Sequence, residues 1–229
     1  MVRANLPEFG RITGEPWHDR PLAIIGAGPS LADFDFTIFR NRKFRVLAIK
    51  EIMFEMPWAD CGFSLDRPFL YRRYPDLERA TLPTILAADN QLPRNHPVFE
   101  RENITMIEKG SGDLLSDDPA VVNSCSTSGF GGLNVAHIKE AKRIALFGFD
   151  YSVSRDREGE RHHYNDEKYA HHNRSNRRYW PRWATRYDLV AAQLQSAGRE
   201  VINACPASAI TAFPKVSISE GLAYLSSCG

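Results

Sequence analysis

Leu22-Ala23-Ile24-Ile25-Gly26-Ala27-Gly28-Pro29-Ser30-Leu31 is the stretch whose reading decides the fold. Four apolar residues in a row read as a buried strand, and the two glycines after them permit a tight turn with close backbone approach. Pro29 carries the fixed φ that suits a first helical position. The stretch therefore predicts a strand running into a helix whose free N–H groups face an anion such as phosphate. A dinucleotide fingerprint would need a third glycine where Leu31 stands, which disfavours NAD and FAD. Gly26, Gly28, Pro29 and Ser30 become the first nucleotide-binding candidates.

Working outward, short apolar runs recur at Phe44–Ile49, Cys61–Leu65, Thr84–Ala88, Ile104–Ile107, Arg143–Gly148 and Glu200–Ala204. Helix-like segments lie between several of them, at Ala32–Arg40, Gly129–Glu140 and Trp180–Ala197. Alternation of this kind predicts an α/β, Rossmann-like domain, a mainly parallel sheet with helices on both faces. Trp180, Trp183, Tyr187, Val190 and Leu194 recur at helical steps and read as a core stripe ending at Gly198. Ser217 and Glu220 have capping-box spacing ahead of a short closing helix.

The chain of 229 residues, 43% hydrophobic and 11% aromatic, is read as one domain over residues 1–229. Its net charge of +1 excludes a globally basic nucleic-acid binder. No apolar run approaches the roughly 20 residues of a membrane span, and no signal-peptide core is visible, so the expectation is a soluble, cytoplasmic protein. Homo-oligomerisation stays open. Cys61, Cys125, Cys205 and Cys228 are widely spaced without a CxxC pair, which fits reduced thiols and predicts no metal site.

One connection departs from the alternation. About residues 151–179 no period is visible, and Ser152–Arg186 carries nine Arg or Lys against five acids together with four of the seven histidines. We read it as a basic lid loop closing over phosphate. His162, His163, His171 and His172 form two adjacent pairs, which do not match the spacings that converge on one ion. A histidine there is instead available for proton transfer near neutral pH.

In an open parallel sheet the ligand sits beyond the carboxyl ends of the strands. That rule selects Lys50 and Glu51 after the second strand, Asp66 and Arg67 after the third, and Asp150 and Tyr151 after the Arg143–Gly148 strand. Ser126, Thr127, Ser128 and Gly129 enter the central helix and offer a second set of amide donors. Each also has a purely structural reading: the hydroxyl residues as helix caps, Asp66 and Asp150 as turn residues, Glu51 as a solvated helix face rather than a ribose ligand.

The order of these features resembles a family. GxGPSL (Gly26, Gly28, Pro29, Ser30, Leu31), Ser128-Gly129 entering a helix, I-x-L-x-G-x-D (Ile144, Leu146, Gly148, Asp150), a His-rich loop, and Cys205, Pro206, Ser208 and Phe213 look like the bacterial sialyltransferases that use CMP-sialic acid. The same order is similar to the related hydroxymethylpterin diphosphokinase-like proteins. The first resemblance implies a glycosyltransferase taking a CMP-sugar or other nucleotide-sugar donor, with an acceptor that is unknown and no cofactor. His171 or His172 would then deprotonate an acceptor hydroxyl, with Tyr151, Tyr164 and Tyr169 the candidates to meet the leaving phosphate and Asp150 a further catalytic candidate. Where that family carries Asn after the second and third strands, this chain has Lys50 and Asp66; the place of its catalytic His falls near Pro181. The second resemblance implies diphosphate transfer from ATP, with Mg²⁺ held by carboxylates such as Asp66 and Asp150. A reading from another class, ranked lower, is a nucleic-acid-binding protein gripping its ligand with Tyr164, Tyr169, Tyr179 and Trp180.

Overall fold

A computed structural model describes residues 8–32, 34–40, 43–152 and 179–227. They build an eight-stranded sheet from β1 (Leu22–Ile25), β2 (Arg45–Ile49), β3 (Cys61–Ser64), β4 (Ile85–Ala88), β5 (Ile104–Gly110), β6 (Val121–Asn123), β7 (Arg143–Phe147) and β8 (Glu200–Asn203). Their order is β6-β5-β4-β3-β2-β1-β7-β8, and every neighbouring pair runs parallel. The Rossmann-like α/β architecture is therefore present. The chain steps outward from β1 to β6 and then returns to the other side of β1 as β7. The sheet thus has its topological switch point between β1 and β7, where ligands bind in open α/β sheets.

The strands alternate between two cores because successive side chains point to opposite faces. Leu22 and Ile24 enter the first core with Phe130, Leu133, Tyr187, Val190 and Leu194. Ala23 and Ile25 enter the second with Phe39, Phe69, Leu70, Leu77 and Leu225. The described residues form six α-helices, α1 (Ile52–Glu55), α2 (Arg67–Arg79), α3 (Ser128–Ile138), α4 (Trp180–Ala184), α5 (Arg186–Ser196) and α6 (Ile218–Ser226), and α2, α3, α5 and α6 supply all of those partners but Phe39. The closing α6 begins with the capping box the sequence announces: Glu220 N–H donates to Ser217 Oγ at 3.2 Å, and Ser217 N–H donates to Glu220 Oε2 at 2.7 Å.

Several expectations need correction. No α-helix spans Ala32–Arg40; the chain makes short 3-10 turns at Pro29–Leu31 and Phe36–Phe39. Asp35 accepts the Thr37 N–H at 2.9 Å and so competes with helix propagation. The Phe34 ring packs 5.6 Å from Phe39, while Phe39 meets Phe147 at 4.9 Å, so tertiary packing holds this segment. The segment Trp180–Ala197 is two helices meeting at Thr185. Tyr187, Val190 and Leu194 are core as expected, whereas Trp180 and Trp183 are only half-buried. The sequence pattern also announces neither α2 nor β6. Pro68 and Pro75 mask α2, which starts where Asp66 accepts the Phe69 N–H at 3.4 Å. β6 is three residues at the sheet edge.

Residues 153–178 lie outside the described residues, and the lid reading falls there with Tyr164, Tyr169, His162, His163, His171 and His172. Among the described residues no helix is long and apolar enough to cross a membrane.

Candidate functional site

The carboxyl ends of β1 to β7 open into one cleft of about 1100 Å³. Its walls include Gly26–Pro29 after β1, Lys50 after β2, Leu65–Arg67 after β3, Asp89–Gln91 after β4, and Lys109–Asp113 at and after the end of β5. Ser124–Gly129 follow β6, Gly148–Ser152 follow β7, and Tyr179, Trp180, Arg182, Trp183 and Arg186 close one side. Of the residues selected from sequence, Gly26, Gly28, Pro29, Lys50, Asp66, Ser126, Thr127, Ser128, Gly129, Asp150 and Tyr151 meet here. Glu51 does not line the cleft; it pairs with Arg73 of α2 at 3.0 Å. Ser30 sits just behind the wall, bonded to Asp150.

The turn after β1 differs from the open amide cradle that its glycines suggest. Gly26 N–H donates to Phe147 O at 2.7 Å and Gly28 N–H to Gly148 O at 2.9 Å. Ser30 N–H donates to Asp150 Oδ1 at 3.1 Å and Ser30 Oγ–H to Asp150 Oδ2 at 2.8 Å. Pro29 has no N–H, so most donors of this turn are already spent on the loop after β7. A Cβ added at Gly28 would stand 1.8 Å from Asp150 Oδ2. Close approach is thus required, but toward another loop of the same chain. Burial pushes the Asp150 carboxyl above its usual range, while the Ser30 hydrogen bonds act to pull it down. Cys205 backs the same turn, with its Sγ 3.4 Å from Ser30 Oγ and accepting the Phe149 N–H at 3.3 Å. Burial raises that thiol to about 12, so it is an inert packing group.

The loop before α3 has the opposite character. Cys125 and Ser126 adopt left-handed conformations, with φ of 41° and 67°. Thr127 caps α3 by accepting the Phe130 N–H at 3.2 Å. Thr127 N–H turns back to Ser124 O, and the N–H groups of Ser126, Ser128 and Gly129 have no protein acceptor among the described residues. They project from the start of an eleven-residue helix, whose dipole favours negative charge.

Backbone strain concentrates on this cleft. Five non-glycine residues among those described have positive φ, and four of them, Lys50, Cys125, Ser126 and Tyr151, line it. Such conformations cost energy and gather where function over-determines the backbone. Charge has the same focus: six basic side chains, Lys50, Arg67, Arg72, Lys109, Arg182 and Arg186, face four carboxylates among the described lining residues. Lys50 holds Asp66 at 2.8 Å and Arg186 holds Asp113 at 2.8 Å. Burial acts to raise Asp66, but the Lys50 charge and hydrogen bond outweigh it and hold the carboxyl below its usual range. Asp89 is bound up in its own turn, accepting Gln91 N–H and Leu92 N–H at 2.6 and 3.0 Å. The remaining field favours an anion.

Those engagements bear on a Mg²⁺ site. Asp66 and Asp150 are each held by a different partner, and among the described residues no group of three or more His, Cys, Asp or Glu is gathered to hold a metal. A Mg²⁺ held by one or two carboxylates and substrate phosphates would have to draw Asp66 from Lys50 or Asp150 from Ser30.

Sequence reading missed Arg72, Asp89 and Lys109, and read Trp183 as core although it lines the cleft with its ring stacked on Tyr179 at 5.9 Å and 24°. The strand-end rule could have found Asp89 and Lys109 once β4 and β5 were placed.

No family model and no curated protein sequence matches the chain. Its fold is similar to that of the MAf glycosyltransferase from Magnetospirillum magneticum AMB-1, with a TM-score of 0.60 over 97% of this chain at 12% identity. The chain spans 40% of that protein's length, so the likeness is one of domain architecture.

Proposed function

We propose that the protein is a nucleotide-dependent transferase of the glycosyltransferase kind, and that the cleft binds the nucleotide of a nucleotide-sugar donor, a CMP-sugar first among them. The observation that supports it best is the convergence of four strained residues and six basic side chains on the carboxyl edge of one parallel sheet. The shared architecture with a glycosyltransferase adds coarse support. In this reading the open amides of Ser126, Ser128 and Gly129 meet an anionic group of the donor, and Arg182 or Arg186 offsets charge on the leaving phosphate. The half-buried Trp183, stacked with Tyr179, offers a face for a nucleobase. Asp150 positions the first turn through Ser30. Deprotonation of the acceptor hydroxyl is assigned from the sequence to His171 or His172, with Tyr164 a further catalytic candidate.

A thermal-shift series with CMP, CDP, UDP, GDP, ADP and ATP, each with and without Mg²⁺, tests this, because a ligand bound only by the folded state raises its stability. The expected result is a metal-independent shift, largest with CMP. A shift by ATP that requires Mg²⁺ would favour diphosphate transfer, and no shift with any nucleotide would overturn the proposal.

A further inference from the structure

Tyr187 reads in the sequence as one residue of an apolar stripe, and its ring is fully buried against Phe130, Phe149 and Phe213. Its hydroxyl belongs to a different system. The Tyr187 hydroxyl lies 2.9 Å from that of Tyr151, and the Tyr151 O–H donates to Thr127 Oγ1 at 3.1 Å. Tyr151 has a single proton, and it is committed to Thr127. The bond between the two phenols therefore has one polarity, with Tyr187 donating and Tyr151 accepting. Thr127 Oγ1 also accepts the Phe130 N–H, so both of its lone pairs are in use. Its own proton can turn either to the Tyr187 oxygen, which feels a hydrogen bond from Thr127, or into the cleft that Thr127 lines.

We propose that Tyr187 is a positioning residue of the cleft: through Tyr151 it keeps Thr127 a donor-only hydroxyl, whose proton turns to a phosphoryl or carboxylate oxygen when the donor substrate is bound. The inference rests on reading the cleft as a nucleotide-donor site. A threonine cap by itself spends one lone pair and leaves a hydroxyl that can donate or accept. Filling the second lone pair removes the accepting option, so the position selects acceptor-only groups and disfavours ligand hydroxyls and amines that need an acceptor there. Burial pushes both phenols above their usual range, which keeps them protonated. Gly129 makes room for the relay: a Cβ there would stand 2.9 Å from the Tyr151 hydroxyl oxygen and 3.0 Å from that of Tyr187. The same commitment takes the Tyr151 hydroxyl out of direct contact with a leaving phosphate, the role that the sequence resemblance implies for it.

Calorimetric titration with CMP, CDP and UDP of the wild type and of Y187F, Y151F, T127S, T127V and Y187F/T127V tests the relay. T127V is expected to weaken the best-bound nucleotide by about tenfold, the worth of one hydrogen bond to a charged group, and T127S to restore it. Y187F keeps the ring in the core and should cost about threefold, with Y151F at least as much. The double variant should match T127V alone, because Tyr187 acts through Thr127. Wild-type affinity in folded Y187F or Y151F, or additive losses in the double variant, would overturn the relay while leaving the nucleotide site standing. A wild type that binds none of the three nucleotides would overturn the site and the relay together.

Discussion

The loop after β1 and the loop before α3 face the same cleft and carry similar small residues, yet they spend their backbone donors differently. In Gly26–Leu31 the N–H groups of Gly26, Gly28 and Ser30 are turned onto the end of β7 and the loop after it, and the glycines are needed because Gly148 O lies where a Cβ at Gly26 would be and Asp150 where one at Gly28 would be. In Ser124–Gly129 the backbone pays a conformational cost at two left-handed residues and keeps its amides open at a helix start. A glycine-rich turn is thus no measure of ligand binding until the partner of each N–H is known. The first loop is scaffold for the cleft, and the second offers it unengaged backbone donors.

The largest effect that would sharpen this contrast is at Gly28. Gly28→Ala puts a Cβ onto the Asp150 carboxylate, and the loop pair must separate. We expect a loss of about 3 kcal/mol or more in stability by denaturant unfolding. A fully stable variant that merely loses nucleotide affinity would break the contrast, since that is what a ligand-facing glycine would give. Asp150→Ala removes both acceptors of Ser30 and should cost about 2 kcal/mol by the same measurement.

Much of the scaffold is legible from sequence, and these residues show why. Leu22–Ile25, Arg45–Ile49 and Arg143–Phe147 are apolar on both sides, as a doubly covered parallel strand must be, so their runs stand out. The strand-end rule then places Lys50, Asp66, Asp150 and Tyr151 on the cleft. What stays hidden depends on distant partners. The spent donors of Ser30 are decided by Asp150, 120 positions away. Glu51 looks like a ribose ligand by spacing but is taken by Arg73, on a helix that its prolines conceal. Tyr187 fits a core stripe by period, and only the position of Tyr151 shows what its hydroxyl does.

A smaller effect concerns Lys50 and Asp66 on the wall between the two loops. The folded Asp66 carboxyl lies below its ordinary 3.8, so its contribution is present above that value and is lost as pH falls through the folded pKa. Lys50→Met should therefore lower stability at neutral pH by no more than about 1 kcal/mol and flatten the pH dependence below 3.8 relative to wild type. Parallel pH curves for the two proteins would remove the pair from the account. The smallest effect is at Ser126, where glycine relieves a left-handed conformation: Ser126→Gly should leave stability unchanged or raise it by about 0.5 kcal/mol, the reverse of a side chain added at Gly28.

The contrast between the two loops is tested most directly by following backbone amide signals in NMR while CMP is added. The open loop predicts that the amides of Ser126, Ser128 and Gly129 shift strongly and that Gly26, Gly28 and Ser30, already hydrogen-bonded within the protein, move little. Large shifts at Gly26–Ser30 with Ser126–Gly129 unmoved would contradict it.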